Sequence, residues 1–551
     1  MIVFLTSADT EVLAARRARE LLPGGFPPVL AANPLRGEPE DPDGLAAGAG
    51  VVLVRLLGGR RAWPEGFDRL RRACVGGGVP LVAVGGEATP DAELATLSTA
   101  PDGVVAEAFE YLRQGGEENL ANLFRFLADT LLAEGFGFEP PRAVPLAGRY
   151  DPPGAPGRGR ERPTVGLVFY RAHLVAGNAA FVDALAEALD AEGAEVRPVF
   201  CYSLRPEPSG RVAALELLEG VDALVTTTLA AGGSAAADAG DPRDERWLEW
   251  CAPALEALDV PVVQAICATT SREAWAESRS GLSPLDAAMQ VAIPEFDGRI
   301  ISVPCSFKEE VEPGAVAYRP DLERARRVAR IATALARLRR IPNAEERVAI
   351  LLSNYPTRHA RVGNAVGLDT PASCLRLLQA LGDAGYLVDG APDDGDALIR
   401  ALIASGGYDA EFLTDEQLRR APARIPAAEY AAWFSDLPRE LREEVLRHWG
   451  EPPGDLYVDG GEIVLAGLVF GNVFVGIQPP RGFGERPIAI YHDPDLPPPT
   501  TTSPRTDGSS AASGRTPSST SGSTGPSSGS RARAWASRPP ARPTRPSGAS
   551  P

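Results

Sequence analysis

The chain has 551 residues, of which 44% are hydrophobic and 23% are charged, and this composition is typical of a globular protein with several cores. Its formal net charge of −18 argues against nucleic acid and anionic membrane surfaces as partners, because both present negatively charged phosphate groups. The 6 cysteines lie far apart, without C-x-x-C spacing or a Cys/His pair at zinc spacing, so we expect reduced thiols in a cytoplasmic protein. Neither a signal peptide nor a run of about 18 apolar residues is present, so no membrane segment is expected.

Residues 1–140 alternate short apolar runs with stretches of helical periodicity, which predicts an amino-terminal α/β domain with a parallel sheet. The predicted strands are Ile2–Leu5, Val51–Val54 and Pro80–Val84, and the predicted helices lie near 10–22, 64–73 and 117–134. Residues 141–163 are dense in Pro, Gly and Arg, which is typical of a linker.

Residues 164–345 are predicted to form a second α/β domain. Its first strand, Thr164–Tyr170, is followed by a loop and then by a helix at Phe181–Leu189. The loop contains Arg171, His173 and a Gly-Asn pair that ends at Asn178, and we call it the first Arg/His loop.

Residues 346–499 repeat this arrangement in a third, incomplete α/β region. Arg347–Leu352 is a predicted strand, and the following helix has Asp369 or Thr370 as its N-cap and Pro371 at its first position. The second Arg/His loop lies between them and contains Arg358, His359, Arg361, Gly363 and Asn364.

The two Arg/His loops could face each other across one crevice and bind an anionic ligand. Open α/β sheets place ligands at the carboxyl ends of their strands, and guanidinium groups bind carboxylates through paired hydrogen bonds. The alternative is that each loop is solvated and happens to be basic. Lys308 is the only lysine, and no G-x-x-x-x-G-K-[ST] sequence is present, so any ATP hydrolysis is expected in a partner.

Several ordered segments resemble one protein family. The three longest segments are Val165–Asn178, Asn354–Pro371 and Gly471–Gly484. Two shorter segments are Val54–Gly59 and Leu282–Gly298. Through them, residues 1 to about 499 are similar to the CobN and magnesium chelatase large-subunit family, and more closely to its cobalt branch.

The resemblance implies a subunit that binds a corrin, hydrogenobyrinic acid a,c-diamide, for insertion of Co²⁺ in cobalamin biosynthesis. It also implies partner subunits, an AAA+ ATPase and an integrin-domain protein, which would use ATP and Mg²⁺. The implied substrate-binding residues are Arg171, Asn178, Arg358, Arg361, Asn364, Asp369 and Arg481. His173 and His492 are the candidate bases for the protons that the ring loses, although a loop histidine is more often an ordinary polar residue.

Residues 500–551 depart from the family. They are rich in Ser, Thr, Gly, Pro and Arg and have almost no large apolar side chain, so we expect a disordered tail. The family's His-Leu-Gly-Lys-His-Gly-Thr-Leu-Glu-Trp block is missing, yet codons for Thr520–Ser537 read one base earlier can encode it. We therefore expect a frameshift after about residue 499 and a truncated chain that is inactive alone. A non-catalytic tetrapyrrole-binding remnant and a magnesium chelatase H-type subunit are the alternatives.

Overall fold

The computed structural model describes residues 1–478 except for 37–41, 88, 153–161, 206–210, 230–233, 236–249, 279, 355–361, 364–366, 409–412 and 455–456. The described chain forms two compact units, one spanning Met1–Arg337 and one beginning at Leu338. Both units contain sheets covered by helices, so the predicted α/β class with parallel sheets is confirmed. No described helix is long and apolar enough to cross a bilayer. The predicted tail at 500–551 lies outside the described residues.

The first sheet has four parallel strands in the order β2-β1-β3-β4. They are β1 (Ile2–Thr6), β2 (Val29–Ala32), β3 (Val51–Leu56) and β4 (Leu81–Gly85). Every residue of β1, β3 and β4 is buried, because helices cover both faces of a parallel sheet, and this explains their unbroken apolar sequences. The helices are α1 (Asp9–Glu20), α2 (Pro42–Gly48), α3 (Pro64–Gly77), α4 (Ala92–Leu97), α5 (Asp102–Gln114) and α6 (Glu117–Leu131).

The second sheet has seven strands and lies in the same unit. They are β5 (Ala147–Arg149), β6 (Thr164–Tyr170), β7 (Glu195–Cys201), β8 (Ala223–Thr226), β11 (Val262–Ala268), β12 (Ile300–Glu312) and β13 (Ala315–Pro320), while β9 (Ser234–Ala235) and β10 (Trp250–Cys251) pair separately. The order is β13-β12-β11-β8-β6-β7-β5, with antiparallel pairing only at the two edges. Strand β5 falls within the stretch predicted as a linker, so part of that stretch is a sheet edge.

Helices cover both faces of the second sheet. They are α7 (Arg171–Val175), α8 (Ala180–Ala191), α9 (Ala213–Glu216), α10 (Pro253–Glu256), α11 (Arg272–Glu277), α12 (Pro284–Ala287), α13 (Ile293–Phe296) and α14 (Leu322–Leu338). A π-helical turn, Ala288–Ala292, joins α12 to α13. Helices α8 and α14 pack on one face through alanines and leucines at helical spacing.

The strand order reverses once in each of these sheets, between β1 and β3 and between β6 and β8. In open α/β sheets, the crevice outside the carboxyl ends of the strands at such a switch point is the usual ligand site. The first Arg/His loop leaves the carboxyl end of β6 and therefore begins at the switch point of the second sheet.

A projecting hairpin, formed by the end of β12 and by β13, connects the two sheets of the first unit. Strand β12 pairs with β11 only as far as Phe307, and beyond that residue it pairs with β13 alone. The hairpin tip contacts α1, where Nη1 of Arg16 lies 3.1 Å from Oε2 of Glu312 and Nη2 donates to the carbonyl of Pro313 at 2.5 Å. The hairpin thereby connects the second sheet to the helix that follows β1.

The second unit has two small sheets. Strand β14 (Val348–Leu352) is parallel to β19 (Val473–Ile477), which pairs antiparallel with β18 (Gly467–Phe470). The other sheet contains β15 (Ala423–Pro426), β16 (Val458–Asp459) and β17 (Glu462–Leu465). The helices are α15 (Thr370–Asp383), α16 (Gly395–Ala404), α17 (Asp415–Arg420), α18 (Ala427–Ser435) and α19 (Arg439–Trp449).

Candidate functional site

Arg171 begins α7 directly after β6, and only 5% of the residue is exposed. Its Nε donates to the carbonyl of Pro145 at 2.9 Å, and Nη2 donates to the carbonyls of Val144, at 3.3 Å, and Gln114. Nη1 makes no hydrogen bond within the described part of the chain and is not sealed from solvent. Two of the three guanidinium nitrogens of this predicted substrate-binding residue therefore bind backbone carbonyls, and Nη1 stays available to donate to a ligand.

Arg171 has no carboxylate partner among the described residues. Burial lowers its pKa, the nearby Tyr202 opposes that effect, and the positive charges of Arg113 and Arg55 lower the pKa further. Buried charges in proteins are normally paired, because removing a charge from water is costly. An anion placed beside Arg171 would therefore be stabilised.

His173 lies on the same short helix and is enclosed by two aromatic rings. Its ring centroid is 5.0 Å from that of Phe181 and 5.4 Å from that of Tyr318, both edge-on. Its Nδ1 is sealed from solvent and has no hydrogen-bond partner. Burial, together with the positive charge of Lys308, lowers the pKa of His173 to about 4. The imidazole is therefore neutral at pH 7 and is a weaker base than an exposed histidine.

Asn178 fixes the turn between α7 and α8. Its Oδ1 accepts the backbone N–H of Tyr318 at 2.9 Å, and its own backbone N donates to the carbonyl of His173 at 2.8 Å. The preceding Gly177 has a φ of +61°, which favours glycine, and a Cβ there would lie 1.5 Å from Nη1 of Arg17, so a side chain would have to displace that guanidinium. Asn178 thus has a structural contact, and its predicted ligand contact stays a prediction.

A charged cluster lies where the projecting hairpin meets the first sheet. Arg36 donates to both carboxylate oxygens of Asp9 at 2.8 and 2.6 Å, Asn33 donates to Oδ1 at 2.7 Å, and Lys308 donates to Oδ2. Burial alone would raise the pKa of Asp9, but the hydrogen bonds from Arg36 and Lys308, the charge of Lys308 and the hydrogen bond from Asn33 together lower it to about 2. The only lysine of the chain thus joins the two sheets through an ion pair.

A second buried arginine, Arg299, contacts the backbone that follows β8, on the other side of the switch point. Arg299 and Asp297 have fully buried side chains, and Nη2 lies 3.0 Å from Oδ2. Nη1 of Arg299 donates to the carbonyl of Thr228 at 2.7 Å and to Oε1 of Gln264 at 2.6 Å. Because Thr228 comes two residues after β8 ends, this arginine holds the backbone where the chain leaves the sheet.

The second Arg/His loop lies in the second unit, between β14 and α15, as its sequence predicts. Asp369 is the N-cap of α15, and its Oδ1 accepts the N–H of Ala372 at 3.0 Å. Asn354 is 4% exposed, and its Oδ1 is sealed from solvent without a hydrogen-bond partner. Most of the predicted residues of this loop and beyond it lie outside the described residues: Arg358, Arg361, Asn364, Arg481 and His492.

The structure thus brings Arg171, His173 and Asn178 together and places Asp369 in the other unit. Asp9, Arg36 and Asn354 were not predicted from the sequence as site residues. For Asn354 a signal existed, because it opens one of the segments that carry the family resemblance. No group of three His, Cys, Asp or Glu side chains that could hold a metal ion occurs in the described residues.

Comparison with known proteins gives consistent matches. The family model described as CobN/Magnesium Chelatase matches residues 109–501. The aerobic cobaltochelatase subunit CobN of Pseudomonas aeruginosa is 38% identical over 517 residues, which cover 90% of this chain and 40% of that protein. The H-type magnesium-chelatase subunit of Rhodobacter capsulatus is 28% identical over 420 residues, covering 70% of this chain and 33% of that protein.

A solved structure, that of the catalytic subunit of cobaltochelatase from Mycobacterium tuberculosis, is also similar. It has a TM-score of 0.67 and 46% sequence identity, and the match covers 91% of this chain and 40% of that chain. The chain therefore spans about 40% of the length of these cobaltochelatase relatives.

Proposed function

The chain belongs to the CobN/magnesium chelatase family, and on this premise we propose that it is the tetrapyrrole-binding part of an aerobic cobaltochelatase large subunit. Its substrates would be hydrogenobyrinic acid a,c-diamide and Co²⁺, in cobalamin biosynthesis. Identities of 38% to a cobaltochelatase subunit and 28% to a magnesium-chelatase subunit support the cobalt branch over the magnesium branch.

The observation that carries the proposal is the unpaired charge of Arg171. This buried guanidinium lies at the switch point of the second sheet, without a carboxylate partner among the described residues and with Nη1 available. The corrin has several carboxylates, and a hydrogen bond between ionised groups contributes about 1.5–3 kcal/mol. A substrate carboxylate would supply the missing counter-charge. Asn178, Arg358, Arg361, Asn364, Asp369 and Arg481 remain the other proposed substrate-binding residues.

Insertion of the metal requires groups that accept the protons lost from the ring nitrogens. His173 and His492 are the proposed acceptors. For His173, with a pKa of about 4, protonation at pH 7 costs roughly 4 kcal/mol. Carboxylates of a bound substrate would reduce this cost, because negative charge near an imidazole favours its protonated form.

Energy for insertion would come from partner subunits. The chain has no G-x-x-x-x-G-K-[ST] sequence, so we propose that an AAA+ ATPase, acting with an integrin-domain subunit, hydrolyses ATP with Mg²⁺. The proposed setting is the cytoplasm, in line with cysteines that are free and buried where the structure describes them.

A titration with an insertion assay tests the proposal. Hydrogenobyrinic acid a,c-diamide is titrated into the chain and followed by its absorbance, with protoporphyrin IX as the comparison ligand. We expect saturable binding of the corrin, weaker binding of the porphyrin, and cobalt insertion only when the ATPase subunits and a carboxyl-terminal CobN fragment are added. If the chain binds the corrin but cobalt is not inserted even with all of these components present, a non-catalytic remnant is favoured. If the chain binds the porphyrin more tightly than the corrin, the magnesium branch is favoured.

A further inference from the structure

Strands β6 and β7 end at the carboxyl edge of the second sheet, and the antiparallel strand β5 begins there beside β7. Tyr170 is paired in register with Cys201, and Cys201 is paired in turn with Ala147. The residues adjoining these strand ends are Arg171, the first residue of α7, Tyr202, which follows β7, and Leu146, which precedes β5. The backbone N of Tyr202 donates to the carbonyl of Leu146 at 2.7 Å, which continues the pairing by one step.

The two positions beside Arg171 carry large, exposed side chains. Leu146 is 60% exposed and Tyr202 is 49% exposed, whereas Arg171 is 5% exposed. Nε of Arg171 donates to the carbonyl of Pro145 at 2.9 Å, so the guanidinium lies beside the backbone that leads into Leu146, and we call the three residues the strip. Exposed apolar surface beside a buried charge suits a ligand that has both an apolar body and a charged group.

The chemistry of the strip defines the ligand. Nη1 of Arg171 can donate to a carboxylate, and it has no other hydrogen bond in the described part of the chain. A tyrosine ring and a leucine side chain can pack against the flat face of a conjugated ring, and an aromatic side chain does so with little loss of conformational freedom. Arg205, an exposed residue three positions after Tyr202, could receive a second carboxylate.

We propose that Leu146 and Tyr202 form an apolar shelf that supports one face of a flat ring while Nη1 of Arg171 binds a carboxylate at the edge of that ring. The identification of the ring as a corrin rests on the proposed function. The shelf itself rests on the hydrogen bond from Tyr202 to Leu146, the contact of Arg171 with the neighbouring Pro145, the exposure of the two side chains and the guanidinium without a carboxylate partner. It adds two contact residues that the sequence analysis did not predict.

The shelf is tested on the full chain with Leu146→Ala, Tyr202→Ala and the double variant. Both side chains are exposed, so the variants should fold normally, which circular dichroism checks. Tyr202→Phe keeps the ring, and Leu322→Ala is the matched control because Leu322 is 63% exposed on α14. Binding of hydrogenobyrinic acid a,c-diamide is measured by absorbance titration, and self-association is measured by sedimentation.

We expect the double variant to raise the Kd about tenfold, and Tyr202→Phe and Leu322→Ala to leave it unchanged. A double variant that binds the corrin with the Kd of the wild type would overturn the shelf and leave the proposed function standing. A wild-type chain that binds no corrin would instead contradict the proposed function. If the variants changed only self-association, the two residues would belong to an interface between copies of the chain, and the shelf would be refuted.

Discussion

Replacing Asp9 by Asn tests the charged cluster that joins the two sheets of the first unit. The structure lowers the pKa of Asp9 from 3.8 to about 2, through Arg36, Lys308 and Asn33 acting against burial. A shift of nearly two pKa units corresponds to about 2 kcal/mol of stability at neutral pH. We expect Asp9→Asn to lower the free energy of unfolding by about that amount at pH 7.

The stability difference between wild type and Asp9→Asn should depend on pH. A carboxylate with a lowered folded-state pKa stabilises the fold above its unfolded pKa near 4, and the contribution is lost as the pH falls towards 2. The difference between wild type and Asp9→Asn should therefore shrink to about half at pH 3. Urea unfolding followed by circular dichroism at pH 7 and pH 3 measures it, with the exposed Asp151→Asn as control.

The cluster also has a local reporter. Lys308 is the only lysine, so reductive methylation with ¹³C labels just this side chain and the amino terminus. Its methyl signal should shift in Asp9→Asn, because the ion pair to Oδ2 is lost. Unfolding curves that coincide for wild type and variant at both pH values, with an unshifted methyl signal, would refute the reasoning.

Three further predictions concern single side chains. As the pH falls from about 6.5 to 4, the wild type should lose stability because the unfolded chain binds a proton at position 173 and the folded chain does not. His173→Phe should remove this loss. Urea unfolding at pH 7 and pH 5 checks this, and an unchanged pH dependence of the unfolding free energy would contradict it. Gly177→Ala should lower the melting temperature more than Gly220→Ala. Both glycines have a positive φ, but only a Cβ at position 177 would contact the Arg17 side chain. Equal losses of melting temperature would contradict the prediction and show that Arg17 moves aside at no cost. Asp369→Ala should cost about 1 kcal/mol by removing the N-cap of α15, measured by urea unfolding, and no loss would exclude that role.

Part of the regular structure of the first unit follows from local sequence. Strands such as β1 and β3 are unbroken apolar runs because both faces of their sheet are covered, and that pattern is visible in the amino-acid sequence itself. Strands β2 and β5, helices α2, α4 and α5 and the π-helical turn were not predicted. Strand β5 is a three-residue edge strand in a Pro/Gly-rich stretch and has no periodicity of its own.

The partners of the site residues could not be predicted in the same way. Arg171 was predicted as a ligand-binding residue from its place after a strand, but its carbonyl partners lie 26 to 57 residues away in the chain. The ion pair between Lys308 and Asp9 spans 299 residues. Such contacts depend on how the sheets pack, and the residues around each partner carry no local signal for them.

We propose that this chain binds a carboxylate-bearing corrin through its arginines. The most direct measurement is an absorbance titration of hydrogenobyrinic acid a,c-diamide with the wild-type chain and with the double variant Arg358→Ala/Arg361→Ala. We expect saturable binding by the wild type and a Kd at least tenfold higher for the variant, since each charge-assisted hydrogen bond contributes about 1.5–3 kcal/mol. Equal affinity of the two proteins, or no binding by the wild type, would contradict it.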